Sequence, residues 1–336
     1  MKAYSFAKFG AGLDGLVISE RAEPKPGRNE VVIKVRARSL NYRDLRILAG
    51  LYPLPGRIGT VALSDGAGEI VALGDGVTRA AIGDRVVLTY FPRWIDGRFS
   101  MDLAADQFGC TRDGMLAPFV VADEQAVVKF PAHFSFEEAA TLPCAAVTAW
   151  AALIGPRPVL PGDTVLTFGT GGVALFALQF AKLFGARVIA ITSSEAKAER
   201  LKQLGADDVV NYRSTPEWGR SIRDLTSGRG AEHVVETGAL DTLTKSISCA
   251  AAEGVVSIVA ALDTGSVDAR SVFANPAVVR RIYVGSRAHL EAASRAITQH
   301  GMRPVIDRAF GFQEAKQAYE YFEVRKHIGK VVIAGD

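Results

Sequence analysis

The chain has 336 residues, of which 49% are hydrophobic and 22% are charged, as in ordinary globular proteins. This length allows more than one core, so two domains are the default expectation. Lysine and arginine exceed aspartate and glutamate by only 39 to 36, and the excess is scattered, which argues against a nucleic-acid partner. The amino-terminal stretch has no apolar signal segment, and no window approaches the roughly 18 apolar residues of a membrane span. We therefore expect a cytoplasmic protein without a membrane partner.

The three cysteines Cys110, Cys144 and Cys249 lie far apart. A disulfide framework or a Cys-x-x-Cys metal knuckle needs cysteines at short, regular spacing. Their positions exclude both arrangements, and any zinc site would have to be built from scattered histidines and carboxylates.

Short β-branched runs separated by turn residues fill the chain up to about residue 125. Such runs are typical of strands. We predict strands at EVVIKVRARSL (30–40), GAGEIVAL (66–73), DRVVLTY (84–90) and APFVVA (117–122). The first part of the chain is therefore expected to be mostly β.

After about residue 130 the pattern changes to strand, glycine turn and helix. Ser135 and Glu138 have the spacing of a capping box and predict a helix start, and Pro143 starts or kinks its continuation. Apolar strands then alternate with helical patterns such as ALFALQFAKLFG and EAKAERLKQLG, which predicts a doubly wound parallel sheet. The predicted strands are TVLTF (164–168), RVIAIT (187–192), HVVET (233–237) and VVSIVA (255–260).

A glycine turn between the first of these strands and the following helix is the strongest chemical signal. Gly169, Gly171 and Ala174 fill the spacing G-x-G-x-x-A that binds dinucleotides. Gly169 permits the tight turn, Gly171 leaves room for a pyrophosphate, and Ala174 lets the helix approach the strand. The phosphates would meet the N–H groups at a helix amino terminus. The cofactor-binding residues expected here are Gly169, Thr170, Gly171, Gly172 and Val173.

The end of the second strand selects the dinucleotide. An NAD site expects an acidic residue about 20 residues after the glycine turn, to hold the ribose hydroxyls. Hydroxyls and a lysine stand here instead, which suits the 2′-phosphate of NADPH, so NADH is the less favoured cofactor. The residues expected to hold this phosphate are Thr192, Ser193, Ser194, Lys197, Tyr212 and Arg213. Glu195 is the counter-evidence, but it also fits a first-turn acid of a helix that begins at Ser193 or Ser194. Lys197 as an ordinary solvated lysine is the alternative.

Four motifs together resemble the medium-chain dehydrogenase/reductase superfamily, and most of all its zinc-free branch that is similar to quinone oxidoreductases. They are SLNYRDLRILAGLY (39–52), LSDGAGEIVALG (63–74), LPCAAVTAW (142–150) and GTGGV (169–173). The resemblance implies an α/β fold with a doubly wound parallel Rossmann sheet and a GroES-like β-barrel catalytic domain. Residues 1–125 and 287–336 would form the GroES-like domain, and residues 126–286 the Rossmann domain. It also implies a homodimer joined through edge strands near VVSIVA or RIYVGSR (281–287).

The zinc enzymes of this superfamily carry metal ligands at positions where this sequence departs. Asn41 stands at a cysteine position, and Ser64 and Asp65 stand at a His-Glu pair. Neither an amide nor a hydroxyl is a usual zinc donor. The structural zinc lobe needs four clustered cysteines, whereas residues 91–116 contain only Cys110. We expect no metal.

Without a metal, reduction of a plain ketone lacks a Lewis acid for the alkoxide. A quinone or an α,β-unsaturated carbonyl is the easier acceptor, because its anion is delocalised and needs only one or two hydrogen-bond donors. The candidate catalytic residues are Asn41, Tyr42 and Tyr52, and the resemblance places Thr148 near the cofactor ring. Either Tyr52 or water could supply the proton.

Several alternatives stay open at this point. Asn41 could hold local backbone, Tyr52 could form a pocket wall, and residues 90–109 could be either a substrate lid or a surface excursion. The chain could also be a metal-independent alcohol or aldehyde dehydrogenase, or a low-turnover NADPH-binding sensor protein.

Overall fold

The fold is that of a computed structural model, which describes residues 1–238, 240–259 and 266–335. The chain divides into two compact units. The first unit comprises residues 1–147 and 285–336, and the second comprises residues 148–284. The division after Val147 lies later in the chain than the predicted boundary at 125, because the helical segments between 136 and 146 pack on strands of the first unit. The return at 285 lies close to the predicted 287.

The first unit consists of two sheets. Strands β1 (Lys2–Phe6) and β2 (Leu16–Glu20) form an antiparallel pair. A seven-stranded sheet has the order β14-β15-β3-β4-β5-β7, and β6 also pairs with β3. Its strands are β3 (Glu30–Ser39), β4 (Asp65–Leu73), β5 (Arg85–Leu88), β6 (Phe119–Asp123), β7 (Val127–Lys129), β14 (Ile306–Gly311) and β15 (Lys330–Ala334). The carboxy-terminal strand β15 thus pairs antiparallel with β3, beside the amino-terminal part of the chain.

Helices α3, α10 and α11 pack against strands of this sheet. The capping box predicted from Ser135 and Glu138 is confirmed, and a π-helical turn containing Pro143 follows it. The helices are α1 (Tyr42–Leu48), α2 (Met101–Ala104), α3 (Phe136–Ala139), α10 (Arg287–His300) and α11 (Ala315–Glu323), with α4 (Val147–Ile154) at the division. Single turns occur at Gly12–Gly15, Glu124–Ala126, Leu142–Ala146 and Phe312–Glu314.

A buried arginine fixes the carboxy-terminal strand to this unit. The Arg38 side chain is fully buried, and its guanidinium donates to the carbonyl oxygens of Met115 at 2.9 Å, Ala117 at 2.5 Å and Gly335. These three carbonyls come from two distant segments of the chain. Because buried carbonyls need hydrogen-bond donors, Arg38 links segments that no local sequence pattern connects.

The second unit is a parallel sheet with helices between successive strands. Its order β10-β9-β8-β11-β12-β13 reverses between β8 and β11, which is the topology of a dinucleotide-binding fold. The strands are β8 (Thr164–Phe168), β9 (Arg187–Thr192), β10 (Asp208–Asn211), β11 (Ala231–Glu236), β12 (Ala250–Ile258) and β13 (Val278–Arg281). The helices are α5 (Gly172–Leu183), α6 (Glu195–Gln203), α7 (Trp218–Leu225), α8 (Leu240–Cys249) and α9 (Ala269–Ala274). The predicted parallel sheet is confirmed.

The prediction that VVSIVA forms an edge strand is wrong. Most of VVSIVA lies in β12, which pairs with β11 on one side and β13 on the other and therefore has no open edge. Its last residue, Ala260, lies outside the described residues. The edge strand on this side of the sheet is β13. It ends at Arg281, where the RIYVGSR segment begins.

Across the described ranges, no helix combines the length and the apolar character that crossing a bilayer requires.

Candidate active site

The glycine turn of the second unit joins β8 to α5 as the sequence predicts. Gly169 has φ +77°, a left-handed conformation that an L side chain adopts only with strain. Its N–H donates to the Ile191 carbonyl at 2.7 Å, which fixes the turn beside the end of β9. Gly171 then caps α5, and Ala174 is buried as the close approach of helix and strand requires.

Gly171 has no structural reason of its own to be glycine. Its φ of −74° is open to any residue, and a Cβ placed on it would meet nothing within 4 Å. Conformation and packing would therefore both tolerate a side chain here. This agrees with the expectation that a pyrophosphate approaches the amino terminus of α5 here, where a side chain would stand in its way.

Hydroxyl side chains gather where β9 ends. Thr192 is buried, and its Oγ1 bonds no partner within the described part of the chain. Ser194 caps α6, with its Oγ accepting from the Lys197 N–H at 3.4 Å. The helix begins at Glu195, so this acid does lie in the first turn, where it accepts from Asn211 Nδ2 at 2.5 Å. Ser193 and Lys197 are both half-buried in the same turn.

The turn after β10 lies beside the end of β9. The Tyr212 N–H donates to the Thr192 carbonyl at 2.9 Å, and the Arg213 N–H donates to Asn211 Oδ1 at 3.1 Å. Both side chains are exposed. The structure therefore brings together the two segments that were predicted to bind the 2′-phosphate. Thr148 lies buried on α4, on a helix as expected.

Sequence reasoning missed Glu236 at the end of β11. It is buried, and its carboxylate accepts from Gly238 N at 2.6 Å, from Thr242 Oγ1 at 3.0 Å and from Ser246 Oγ. Burial raises the pKa of Glu236, against the effect of these donors. The signal was an acidic residue directly after the apolar pair Val234 and Val235. Strand β11 lies next to β8, at the point where the strand order of the sheet reverses. Glu236 therefore fixes the loop that follows β11 at this point of the sheet.

In the first unit, Asn41 caps helix α1. Its backbone N–H donates to the Asp44 carboxylate at 2.8 Å, a bond in which the side-chain amide takes no part. Burial raises the pKa of Asp44 to about 6, opposed by Arg43, whose guanidinium lies 3.6 Å away. The side-chain oxygen of Asn41, however, points to a residue that the sequence did not single out.

That residue is Lys330, the first residue of β15. The side chain is 3% exposed, and its Nζ donates to the Leu40 carbonyl and to Asn41 Oδ1, both at 2.6 Å. Burial lowers the pKa of Lys330, whereas the negative charges of Asp65 and Asp44 raise it. We call Lys330, Asn41, Ser64, Asp65 and Cys144 the lysine cluster.

Asp65 is the anionic member of the lysine cluster. It is fully buried and begins β4. Its carboxylate accepts from Ser64 Oγ at 2.7 Å and from the Cys144 N–H at 3.0 Å, which holds the π-helical turn in place. Burial raises the pKa of Asp65, and the Lys330 ammonium lowers it.

Tyr52 belongs to a second group, which we call the tyrosine network: Arg43, Tyr52, Tyr90 and Gln107. The two tyrosine hydroxyls lie 3.0 Å apart, and each lies 3.1 Å from Gln107 Oε1. The Arg43 guanidinium lies over both rings, at 5.3 Å from the Tyr52 centroid and 4.8 Å from that of Tyr90. Burial raises the pKa of Tyr90, and Arg43 lowers it. Tyr52 is half-buried, so it is the more accessible of the two hydroxyls.

Tyr42 has a different environment from the other two candidates. Arg325 donates to its hydroxyl at 2.7 Å and lies over its ring at 4.5 Å. The contact ties α1 to the end of α11 and gives Tyr42 a structural role.

The segment 90–109 is buried at its start, whereas residues 96–98 and 100–102 are exposed. Tyr90, Phe91 and Trp94 are buried in an aromatic cluster. The carbonyls of Trp94 and Ile95 accept from the N–H groups of Arg287 and Ala288 at 2.9 and 3.0 Å. These bonds fix the segment to the start of α10.

The side chains at the positions that match zinc ligands are not suited to bind a metal ion. The Asn41 oxygen accepts from an ammonium group, and the Ser64 hydroxyl donates to Asp65. Over residues 1–238, 240–259 and 266–335, no three His, Cys, Asp or Glu side chains are grouped so that they could hold an ion. A catalytic zinc needs three such ligands.

Comparison with known proteins identifies the family. Residues 27–132 match the family described as alcohol dehydrogenase GroES-like domain, and residues 172–299 match the one described as zinc-binding dehydrogenase. A zinc-type alcohol dehydrogenase-like protein of Schizosaccharomyces pombe is 41% identical over 97% of each chain. The chain belongs to the medium-chain dehydrogenase/reductase superfamily. The predicted fold class, a Rossmann sheet with a GroES-like domain, is thereby confirmed.

Other members of the superfamily are named after different activities. A quinone oxidoreductase of Pseudomonas aeruginosa is 28% identical over 99% of each chain. An acryloyl-coenzyme A reductase of Metallosphaera sedula is 28% identical over 95% of this chain and 96% of its own. The chain is thus similar to reductases of conjugated acceptors as well as to proteins named after alcohol dehydrogenases.

Solved structures share the whole fold. A putative alcohol dehydrogenase of Sinorhizobium meliloti has a TM-score of 0.92 and 35% identity, over 99% of this chain and 98% of that one. An NAD-dependent alcohol dehydrogenase has a TM-score of 0.90 and 33% identity over all of both chains. A crotonyl-CoA carboxylase/reductase variant in complex with NADP has a TM-score of 0.87 and 25% identity, over 99% and 94%. Members of similar fold therefore include both NAD and NADP proteins.

Replacing Gly171 by alanine should separate folding from cofactor binding. Because the added methyl group meets nothing, the free energy of unfolding should change by less than about 1 kcal/mol. The methyl group would occupy the expected pyrophosphate space, so the NADPH Kd should rise at least about tenfold. Fluorescence titration and thermal unfolding measure the two effects. Gly169→Ala is the matched control and should lose about 1–2 kcal/mol of stability because of its positive φ. An unchanged Kd in Gly171→Ala would exclude this space as the phosphate site.

Replacing Lys197 by alanine should affect NADPH and NADH differently. A charge-assisted bond to a phosphate contributes about 1.5–3 kcal/mol, so the NADPH Kd should rise about tenfold or more while the NADH Kd stays constant. Lys202→Ala, on the exposed face of the same helix, should change neither. Equal losses for both nucleotides would remove Lys197 from the phosphate site.

Proposed function

We propose that this protein is an NADPH-dependent, zinc-independent reductase of quinones or α,β-unsaturated carbonyl compounds. The lysine cluster carries the proposal. At the positions that match zinc ligands, an amide and a hydroxyl are engaged with Lys330 and Asp65. Such a site offers hydrogen-bond donors and lacks a Lewis acid, which favours an acceptor whose anion is delocalised.

Two groups of the first unit could stabilise or protonate that anion. Asn41 Nδ2 is a buried donor with at least one hydrogen that bonds no other described residue, and the Tyr52 hydroxyl is the accessible end of the tyrosine network. Bound NADPH would supply the hydride. The chain's own contribution is then to hold a donor at the oxygen that becomes negative, and to deliver a proton.

The tyrosine network gives Tyr52 a way to lose its proton. A tyrosine hydroxyl has one hydrogen and two acceptor sites. When the Tyr52 hydrogen turns toward a substrate, Tyr90 can donate to the Tyr52 oxygen across the 3.0 Å that separates them. The Arg43 guanidinium above both rings would stabilise the phenolate that forms.

The hydroxyl-rich end of β9 and Lys197 support NADPH as the cofactor. The similar structure with NADP bound agrees with this choice, whereas the similar structure named NAD-dependent does not. Discrimination therefore depends on the side chains of this chain, because the fold accommodates both nucleotides.

Turnover with a panel of acceptors tests the proposal. We expect NADPH to be oxidised by quinones and alkenals but not by simple aldehydes, at the same rate with and without a strong chelator. Loss of NADPH absorbance measures the rate. Activity on simple aldehydes that a chelator removes would mean that the zinc-independent assignment is wrong. Tight NADPH binding without turnover of any acceptor would favour the sensor protein.

We also propose a homodimer that forms through β13. This edge strand and α9 expose apolar side chains, with Val272 48%, Phe273 91% and Val278 45% exposed. Pairing of two edge strands across a two-fold axis would cover them. Size-exclusion chromatography with light scattering should give twice the 35.8 kDa of the monomer, and Phe273→Ser should lower the dimer fraction. A wild-type mass of one monomer would reject the proposal.

A further inference from the structure

Lys330 is a buried cation to which the sequence motifs assign no role. Its ammonium group lies at the start of β15, 3% exposed, with Asp65 and Asp44 as the nearby negative charges. Burying an ammonium ion costs several kcal/mol unless partners compensate for the lost water. A hydrophobic side chain would fill the same place in the sheet at no such cost. The lysine therefore needs a reason beyond packing.

The bond to Asn41 determines which way the carboxamide faces. A lysine ammonium group only donates, so it must meet the oxygen of the amide and not the nitrogen. With Oδ1 held at 2.6 Å from Nζ, Nδ2 has to lie at the other edge of the planar carboxamide. Lys330 thus converts an amide that could face either way into a donor of fixed direction.

At least one of the two hydrogens on the donor that results has no acceptor inside the described structure. Asn41 is 7% exposed, and Nδ2 is fully buried. The other hydrogen faces the Asp65 carboxylate, and this contact helps to lower the pKa of that carboxyl against the larger effect of burial. A buried N–H without a partner is costly and needs an explanation. A ligand oxygen that arrives during the reaction provides one.

The charge on Lys330 also strengthens the donor. A charge-assisted bond to the carbonyl oxygen of an amide polarises the whole group, because hydrogen bonds in sequence reinforce one another. The N–H of Asn41 is then a better donor to an anion than an amide in water. The effect acts through one covalent group and needs no contact between Lys330 and the substrate.

We propose that Lys330 is a positioning residue, which holds the Asn41 carboxamide so that its N–H group meets the oxygen anion of the reduced acceptor. The inference rests on the proposed function, since it assigns that site its oxyanion donor. Lys330 itself touches no reacting atom. Its loss should therefore act only through Asn41.

A double-mutant cycle tests this dependence. Asn41→Ala should lower kcat by about a hundredfold, as expected for the loss of one oxyanion donor. Lys330→Met, which removes the ammonium group but keeps the length, should lower kcat about tenfold and leave the acceptor KM and the NADPH Kd nearly unchanged. The double variant should be no slower than Asn41→Ala. Lys34→Met, on the half-exposed face of β3, is the matched control and should equal the wild type. The inference would be overturned if the fold-losses in kcat of the two single variants multiplied in the double variant. A wild-type kcat in Lys330→Met would overturn it as well.

If Lys330→Met does not fold, Asn41→Asp tests whether the N–H group of Asn41 is used as a donor. The carboxylate keeps the shape, the cap and the bond to Lys330, but it has no N–H group. We expect a folded protein, by circular dichroism and thermal unfolding, whose kcat falls at least as far as that of Asn41→Ala. Wild-type kcat in a folded Asn41→Asp would show that the donor is not used.

Binding of para-nitrophenolate separates this inference from the proposed function. This planar anion mimics the delocalised product oxygen, and its absorbance changes on binding. The wild type should bind it, and Lys330→Met and Asn41→Asp should bind it at least about tenfold more weakly. If the wild type reduces no acceptor but shows this pattern, the proposed function fails and the positioning role stands. If it reduces quinones but the variants bind the anion as the wild type does, the positioning role fails alone.

Discussion

The charge of one buried lysine organises the candidate site of the first unit. An ammonium group cannot be left inside a protein without acceptors and counter-charges. Around Lys330 the chain supplies a backbone carbonyl, an amide oxygen and two carboxylates. Asp65, held by this charge, in turn accepts from Ser64 and from the Cys144 N–H. The positions of the Asn41 loop, the start of β4 and the π-helical turn are therefore consequences of a single electrostatic requirement.

The second unit differs from the first, because the space beside Gly171 matters more here than any one side chain. Gly169 is needed by its backbone conformation, and Ala174 by the packing of α5 on the sheet. Gly171 is needed by neither, and the region above it is empty. In our proposal the preference for one nucleotide is left to a few side chains at the end of β9, where a buried hydroxyl and a half-buried lysine stand in place of the acid expected at an NAD site.

Much of the second unit could be predicted from the sequence because its signals are local. The glycine turn spans six residues, and strands β8 and β9 have the predicted bounds. The order of the strands is not local, which is why VVSIVA was wrongly placed at an edge. In the first unit, Asn41 and Tyr52 were found through their motif. Lys330 was missed because 289 residues separate it from Asn41. Tyr90 and Gln107 were missed because aromatic and amide side chains in a long loop carry no periodic signal.

On the proposed function, the difference between a metal ion and a buried ammonium group sets the class of acceptor. A metal ion and a buried ammonium group both place positive charge beside the same two segments, the loop at Asn41 and the start of β4. They differ in how that charge reaches a substrate: a zinc ion binds the oxygen directly, whereas Lys330 can act only through the amide that it holds. An indirect cation stabilises a localised alkoxide poorly, but it suffices for a delocalised enolate or quinol anion. On the proposed function, exchange of a few side chains in the first unit would change the class of acceptor while the nucleotide-binding unit stays the same.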